Sequence, residues 1–317
     1  GIFSLALVII GIFIMISSFG ITEGLLRFIP LYRGKGEYNK ISFLFKTSNK
    51  TLLISSILFS LLLFVLSNYI SLDIFHEPKM VIYLKIFSFT IPLSVLSGIY
   101  LSTLTGYEKI GLNSFVNNFL QNLSKILFLL IGIFIGLKEY SIIISYVLSI
   151  VILFSFSFIF VKKYLPKFSS GKQLDKKSKR KIIKNLLSYS WPIIFAGVIY
   201  SIFYWTDSLV IGYFKNASEV GIYNAAFTIV TLFGLAPEIF KHMFFPLIVK
   251  EFSKNNYEMI KQLSQQVNKW IFIINVILFL FIFIFPGAFI NIFFGESYLA
   301  SESALKILSV VDFILHF

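Results

Sequence analysis

The 317-residue sequence contains no cysteine, only three histidines and few charged residues, which make up 14% of the chain. The absence of cysteine excludes a disulfide framework and thiol chemistry, and the scarcity of histidine argues against a histidine-built metal site. A soluble domain carries roughly 25% charged residues. This chain has too few charges to cover a surface in water, and nothing in it indicates a metal or another cofactor.

Apolar residues instead make up 57% of the sequence, and the mean hydropathy is +0.86. They recur in runs of about 20 residues, the length of a transmembrane helix. These runs are too long for the roughly ten-residue alternating strands of a membrane barrel. We therefore predict an all-α, polytopic (multi-pass) membrane protein. The nine predicted spans are 1–28, 52–70, 82–104, 112–137, 140–161, 191–214, 220–249, 270–290 and 303–317.

The net charge of +13 is concentrated in loops between these spans. Twenty-two basic residues fall in one set of alternate loops and three in the other set. By the positive-inside rule the basic loops face the cytoplasm. Topology thus explains the charge better than nucleic-acid binding does, and we expect no nucleic-acid partner. The predicted location is the cytoplasmic (plasma) membrane.

The longest polar connection, residues 162–184, is strongly basic and contains Pro166 and Gly171. Such a segment is typical of a linker between two helical lobes. We predict an N-terminal lobe at 1–165, a basic cytoplasmic linker at 166–186 and a C-terminal lobe at 187–317. The linker is either a solvated loop or a segment that binds anionic lipid headgroups.

Two parts of the chain resemble each other in sequence. Residues 23–41 match residues 238–260 in an acidic residue, a proline and the pattern K-x-x-Y-x-x-I, and LKIFS at 84–88 matches LKILS at 305–309. Both copies run in the same direction, so we predict parallel-repeat bundles related by about 180° around the membrane normal, as in some transporters. The repeat implies six plus six helices, and we expect the first and last of them to lie outside this sequence, which would be truncated at both ends.

The sixth span contains one carboxylate, Asp207, among apolar residues. Inserting a carboxylate at mid-helix costs roughly 2.5–3.5 kcal/mol, so it should face protein or a water-filled cavity rather than lipid. Tyr200, Tyr204 and Asp207 share one helix face by their spacing. The alternatives are a helix-packing ion pair and a role in ion coupling or gating.

A polar stripe marks the fourth span, where Asn113, Asn117, Gln121 and Lys125 recur every four residues. In a regular helix they share one face. Amides facing lipid would lack hydrogen-bond partners, so the stripe must face protein or water. A packed seam between helices would favour small residues. These side chains are long, and we therefore predict a wet cavity with Lys125 at its deepest point.

The remaining charged groups have three interpretations. The spacing of the acidic and basic residues allows local i, i+3 and i, i+4 pairing, and the alternative is coupling of transport to an ion. Basic residues in the spans could also attract an anionic ligand. The residues concerned are Lys85, Glu23, Arg27, Glu238, Lys241 and His242.

Residues 206–227, TDSLVIGYFKNASEVGIYNAAF, resemble the junction of the seventh and eighth helices in polysaccharide-transport proteins. These are lipid-linked oligosaccharide flippases of the multidrug/oligosaccharidyl-lipid/polysaccharide exporter superfamily. Residues 26–41 are similar to the loop after the family's second helix. The matching positions of the junction are Asp207, Gly212, Val220, Gly221, Tyr223 and Ala226.

The resemblance implies a flippase, not an enzyme, that moves a polyprenyl- or dolichyl-linked oligosaccharide to the outer leaflet by alternating access. Membrane lipids and a possible coupling ion are the other expected partners. A cation-coupled multidrug exporter of the same superfamily and a membrane-embedded glycan polymerase or transferase remain the alternatives. The expected translocation path contains Lys125, Gln121, Asn117, Asn113, Lys85, Arg27, Asp207, Tyr204 and Tyr200.

Overall fold

The computed structural model describes residues 1–164, 174–253 and 256–315, and it leaves out the side chains of residues 164, 241–243, 245–246, 249–250 and 252–253. The described residues form helices joined by short turns. Helices suit long apolar runs because a helix satisfies its own backbone hydrogen bonds where no water is present. The prediction of an all-α fold is confirmed.

The helices of the first part of the chain are α1 (Ile2–Ser18), α2 (Ile21–Gly34), α3 (Tyr38–Tyr69), α4 (Met80–Ser88), α5 (Thr90–Gly106), α6 (Ile110–Ser114), α7 (Gln121–Phe134) and α8 (Tyr140–Tyr164). Those of the second part are α9 (Lys176–Phe214), α10 (Ala217–Val230), α11 (Leu235–Ser253), α12 (Tyr257–Ile284), α13 (Pro286–Phe294) and α14 (Glu302–Leu315). Short π-helical segments lie at Ile70–Ile74 and Phe115–Leu120, and 3-10 segments lie at Thr231–Gly234 and Glu296–Ser301.

Six helical segments of the described chain are long and apolar enough to cross a membrane, and two bent pairs raise the number to eight. The bent pairs are α1 with α2 and α4 with α5, each with an angle of 46°. The sequence predicts nine spans. The ninth corresponds to α14, whose described part is 14 residues long and too short to be counted.

The bend between α1 and α2 arises at Phe19 and Gly20, which have left-handed φ angles of 47° and 60°. A positive φ interrupts the helical hydrogen-bond ladder, and glycine adopts it without a steric penalty. A Cβ atom on Gly20 would also lie 2.8 Å from the carbonyl oxygen of Ser190 in α9. The bend therefore requires a small residue, and it places Glu23 in the first turn of a new helix inside the bent span.

The chain divides into two compact units, Ile2–Tyr213 and Phe214–Phe317, with Gly1 joining the second. The division falls at the end of α9, which begins at Lys176. Residues 176–186 of the predicted linker are therefore helical, while its residues 166–173 lie outside the described part of the chain. The predicted lobe boundaries stay a prediction.

Helix α3 packs within the first unit through serine side chains. Ser55 Oγ donates a hydrogen bond to the Ser17 carbonyl of α1 (2.8 Å), and Ser60 Oγ donates to the Ser88 carbonyl of α4 (2.8 Å). Small polar residues of this kind let helices approach closely in lipid, where burying apolar surface gives little driving force. All six serines of α3 are buried: Ser42, Ser48, Ser55, Ser56, Ser60 and Ser67.

The second unit has an apolar core formed by α10, α12, α13 and α14. Its centre is the fully buried Phe233, in the 3-10 segment after α10. The neighbouring buried residues are Ala226, Ile229, Val230, Ile282, Ile290 and Leu305.

The two copies of the sequence repeat share local structure. Helices α3 and α12 begin at matching tyrosines, and just before them the amides of Glu37 and Asn256 each donate to the carbonyl five residues earlier (2.9 and 3.0 Å). In α4 and α14 the matching Ser88 and Ser309 are fully buried, and each donates to the carbonyl three residues earlier. The repeat is thus visible in the backbone and burial of each unit taken by itself.

Replacing Ser60 by leucine should lower the melting temperature of the purified protein in detergent. The larger side chain would overpack the contact with α4, at about 1–3 kcal/mol, and would remove a hydrogen bond worth roughly 0.6 kcal/mol. Val65→Leu is the matched control, because Val65 lies on the same helix and is 72% exposed. Equal melting temperatures for the two variants would contradict a packing role for Ser60.

Candidate functional site

A cavity of about 380 Å³ lies within the first unit, beside the bend between α1 and α2. Its volume is in the range of small-molecule sites. We call it the polar cavity, because hydroxyl and amide groups form much of its lining. The lining residues are Ile14, Ser18, Thr22, Glu23, Leu26, Ser94, Val95, Gly98, Leu101, Ser102, Thr105, Asn113 and Asn117.

Helix α5 contributes one wall of the polar cavity, and this wall was not predicted from the sequence. Ser94, Gly98 and Ser102 recur every four residues and therefore share one helix face. A Cβ atom on Gly98 would lie 3.2 Å from Thr22 Cγ2, so α2 and α5 are in close contact beside the cavity. The sequence contains this four-residue spacing, but the rest of α5 is so apolar that the spacing does not stand out.

Glu23 is the one charged residue among the described residues that line the polar cavity. It lies in the first turn of α2, where the partial positive charge of the helix terminus favours a carboxylate. Among the described residues it forms no ion pair with Arg27, although the i, i+4 spacing allows one. Arg27 instead lies over Tyr189 of α9, with Cζ 4.3 Å from the ring centroid. The carboxylate of Glu23 is therefore available to a ligand.

The two asparagines of the cavity leave their oxygen atoms as acceptors. Asn113 Nδ2 donates to Thr105 Oγ1 (2.6 Å), and Asn117 Nδ2 donates to Asn118 Oδ1 (3.1 Å). The buried Ser94 Oγ has no hydrogen-bond partner among the described residues. The two amide oxygens and the Glu23 carboxylate form a surface rich in acceptors. Such a surface suits ligands that donate hydrogen bonds, among them sugar hydroxyls, amines and cations.

Residues Phe115–Leu120 of the predicted polar stripe are π-helical, with i→i+5 hydrogen bonds, so this part of the span departs from a regular α-helix. Asn113 and Asn117 line the polar cavity, whereas Gln121 and Lys125 are not among its lining residues. The place of all four residues in a translocation path stays a prediction.

The two lysines of the predicted path lie on aromatic rings. Lys125 Nζ is 5.4 Å from the ring centroid of Phe3 and 5.8 Å from that of Tyr146. Lys85 Nζ is 5.8 Å from the ring centroid of Phe64. Contacts of this kind contribute about 0.5–2 kcal/mol and allow a cation to lie between helices without a carboxylate. The roles of both lysines in translocation stay predictions.

The remaining predicted residues lie on α9 and α11. The rings of Tyr200 and Tyr204 stack with centroids 6.1 Å apart, as expected for neighbours on one helix face. Asp207 and Glu238 are both exposed. Their roles in ion coupling or packing stay predictions. Within the described residues no group of three histidines, aspartates or glutamates could hold a metal ion. Two further predicted residues have side chains outside the described part: Lys241 and His242.

The fold matches that of known transporters. One solved structure, titled as the inward-facing conformation of a multidrug resistance MATE family transporter of the MOP superfamily, aligns with 100% of this chain and 75% of its own, at a TM-score of 0.71 and 17% identity. A second, titled as the outward-facing conformation of such a transporter, aligns with 99% of this chain and 71% of its own, at a TM-score of 0.59 and 17% identity. The chain therefore has the fold of a MATE transporter.

The family follows from sequence. Residues 1–236 match the family model described as "Polysaccharide biosynthesis protein", and residues 192–315 match the MatE model. The chain belongs to the polysaccharide biosynthesis protein family, which confirms the family resemblance noted in the sequence.

Two curated proteins are similar to this chain in sequence. An uncharacterized membrane protein of Methanocaldococcus jannaschii is 24% identical over 334 residues, which cover 100% of this chain and 64% of the relative. The teichuronic acid biosynthesis protein TuaB of Bacillus subtilis is 32% identical over 111 residues, which cover 34% of this chain and 22% of the relative. The chain thus spans less than two thirds of the length of either relative.

Because the chain contains no cysteine, single cysteines can report which positions water reaches. A cysteine replacing Asn117 should react with a charged, membrane-impermeant thiol reagent, because this residue lines the polar cavity. A cysteine replacing Leu130, which is 59% exposed on the apolar part of α7, is the control and should react only with a lipid-soluble reagent. Labelling of Asn117→Cys by the lipid-soluble reagent alone would show that this position faces lipid.

Proposed function

We propose that this protein moves a lipid-linked oligosaccharide from the cytoplasmic to the outer leaflet of the cytoplasmic membrane, with its basic loops on the cytoplasmic side. The observation that supports this proposal is the lining of the polar cavity, where Glu23, Asn113 and Asn117 present acceptors to sugar hydroxyls. Membership of the polysaccharide biosynthesis protein family supports the same class of substrate. So does the similarity to TuaB, which is described as a teichuronic acid biosynthesis protein.

The physical problem in such transport is the removal of water from the glycan. A hydroxyl group that enters an apolar environment without a hydrogen bond costs several kcal/mol. Each acceptor in the polar cavity replaces one hydrogen bond that the sugar makes to water. It thereby lowers the free-energy barrier to translocation. Apolar Leu26 and Leu101 lie among these acceptors and offer contacts to the carbon faces of sugar rings. Sites of mixed character, with a few placed polar groups in an apolar lining, are typical of small-molecule recognition.

Alternating access requires the cavity to open first to one side and then to the other. The bends between α1 and α2 and between α4 and α5 lie in the spans that form the cavity wall. A helix changes its angle most easily where its hydrogen-bond ladder is already interrupted. On this proposal the bend at Gly20 lets α2 tilt against α5 and so changes the width of the polar cavity.

The carrier lipid brings a phosphate, which needs a cation near the glycan. None of the described residues lining the polar cavity is basic. We assign this role to Lys125, which follows the cavity asparagines on the same span. In the inward-open state Lys125 would exchange its contacts with Phe3 and Tyr146 for a charge-assisted hydrogen bond to the phosphate, which is the stronger interaction.

A cation-coupled multidrug exporter is the second candidate, and one observation favours it. Glu23 has no basic residue beside it in the lining of the polar cavity, so the cavity attracts cations. A cationic drug or a coupling ion could bind there without any glycan. The two candidates differ in the transported molecule, and a transport experiment therefore separates them.

In vesicles reconstituted with the protein, a lipid-linked glycan added to one leaflet should reach the other. Asn113→Ala and Asn117→Ala should each slow this step by about fivefold, because one hydrogen bond to the substrate contributes roughly 1 kcal/mol. Asn122→Ala is the matched control, since Asn122 follows on the same span but does not line the cavity. Transport of a cationic drug without transport of the glycan would favour the exporter instead.

Lys125→Arg should retain glycan transport, whereas Lys125→Ala and Lys125→Gln should lose most of it at matched expression. Arginine keeps the positive charge and also stacks on aromatic rings, while glutamine keeps much of the length and loses the charge. Melting temperatures of the three variants control for lost packing against the two rings. Full transport by Lys125→Gln would exclude a role for the charge.

A further inference from the structure

A second cavity, of about 230 Å³, lies within the first unit at its basic end. It is formed by the last turns of α2, the turn into α3 and the first turns of α9. It shares no lining residue with the polar cavity. The proposed transport of a glycan gives it no role, so its chemistry is a separate question.

Three lysines from three different elements converge on this basic cavity. Lys35 follows the last residue of α2, Lys40 lies in the first turn of α3, and Lys181 lies in the second turn of α9. The positive-inside rule requires basic residues on this side of the membrane, but it does not require them to meet. Their convergence on one concave surface therefore indicates an anion site rather than topology alone.

The charges of the basic cavity do not cancel. Its one lining carboxylate among the described residues, Glu37, is held by Lys40, with Nζ 2.6 Å from Oε1. Lys35 and Lys181 form no ion pair with any described residue. Three lysines against one carboxylate leave two positive charges.

Other groups near the cavity are consistent with an anionic ligand. Asn185 lies one turn after Lys181 on the same face of α9, where its amide can donate a hydrogen bond beside the ammonium group. Asp175, which precedes α9, does not line the cavity. A hydrogen bond from Ser178 lowers the pKa of the Asp175 carboxyl, so this carboxylate is engaged at the start of the helix. Asp175 therefore does not neutralise the lysines of the basic cavity.

We infer that the basic cavity binds a phosphate group. A phosphate monoester carries about −1.5 to −2 charges at pH 7, which matches the two uncompensated lysines. Ammonium and amide groups donate charge-assisted hydrogen bonds to its oxygens. The stacked rings of Phe28 and Tyr32, with centroids 6.0 Å apart, form one wall and shield these bonds from water. An anionic lipid headgroup and a soluble phosphate ester share this chemistry, and the two arms of the experiment separate them.

The experiment measures two probes on the purified protein. Inorganic phosphate is titrated into the protein in nanodiscs of neutral phosphatidylcholine, and retained phosphatidic acid is counted by native mass spectrometry. The double variant Lys35→Gln/Lys181→Gln should weaken binding of at least one probe by tenfold or more, because it removes the two uncompensated charges. Lys35→Arg/Lys181→Arg should retain binding. Both lysines are exposed, so the substitutions leave the packing of the unit intact.

The matched control is Lys177→Gln/Lys184→Gln, which removes the same charge from exposed positions of α9 outside the cavity. It should leave the binding of both probes unchanged. An effect on inorganic phosphate assigns the site to a soluble ester, and an effect on phosphatidic acid alone assigns it to a lipid. Absence of binding by both probes, or equal weakening by the two double variants, would overturn the proposal. Glycan transport is not part of this readout, so failure of the proposed function leaves the test unaffected.

Discussion

Helices in a bilayer gain little by burying apolar side chains against each other, because the surrounding lipid is as apolar as they are. The first unit therefore depends on small residues that bring helix backbones together. Two buried serines of α3, Ser55 and Ser60, bond to α1 and α4, and Gly24 of α2 lies against α9. On α5 the small residues Gly98 and Ser94 face the polar cavity. Close packing and a hydrophilic cavity thus arise from the same type of side chain.

The two cavities of the first unit differ in charge. The polar cavity holds a carboxylate and hydrogen-bond acceptors, whereas lysines gather in the basic cavity at the helix ends. Within the spans, Lys125 and Lys85 lie on aromatic rings rather than beside Glu23. A buried ion pair would neutralise both partners and be expensive to separate. Separation leaves each charge able to meet a ligand.

The sequence predicted the fold class and the family, but it predicted only part of the site. Asn113 and Asn117 were identified from their spacing, and the structure places both on the polar cavity. The π-helical segment at Phe115–Leu120 was not predicted, because nothing in the local pattern indicates it. The contribution of Ser94 was missed because a serine in an apolar helix looks the same whether it packs or lines a cavity. These omissions concern local details within helices, not the existence of the helices themselves.

What the sequence determined by itself is therefore the set of local properties. Long apolar runs must be helical in a bilayer, the basic loops bias their orientation, and the repeat sets a common local structure for α3 and α12. The tertiary structure alone decided which residues meet: Glu23 with the asparagines of the cavity, and three lysines from separate elements at the basic end. The physical reason is that hydropathy and spacing act within one helix. Cavities depend instead on bends, helix approach and rotation, which are set by contacts between residues far apart in the chain.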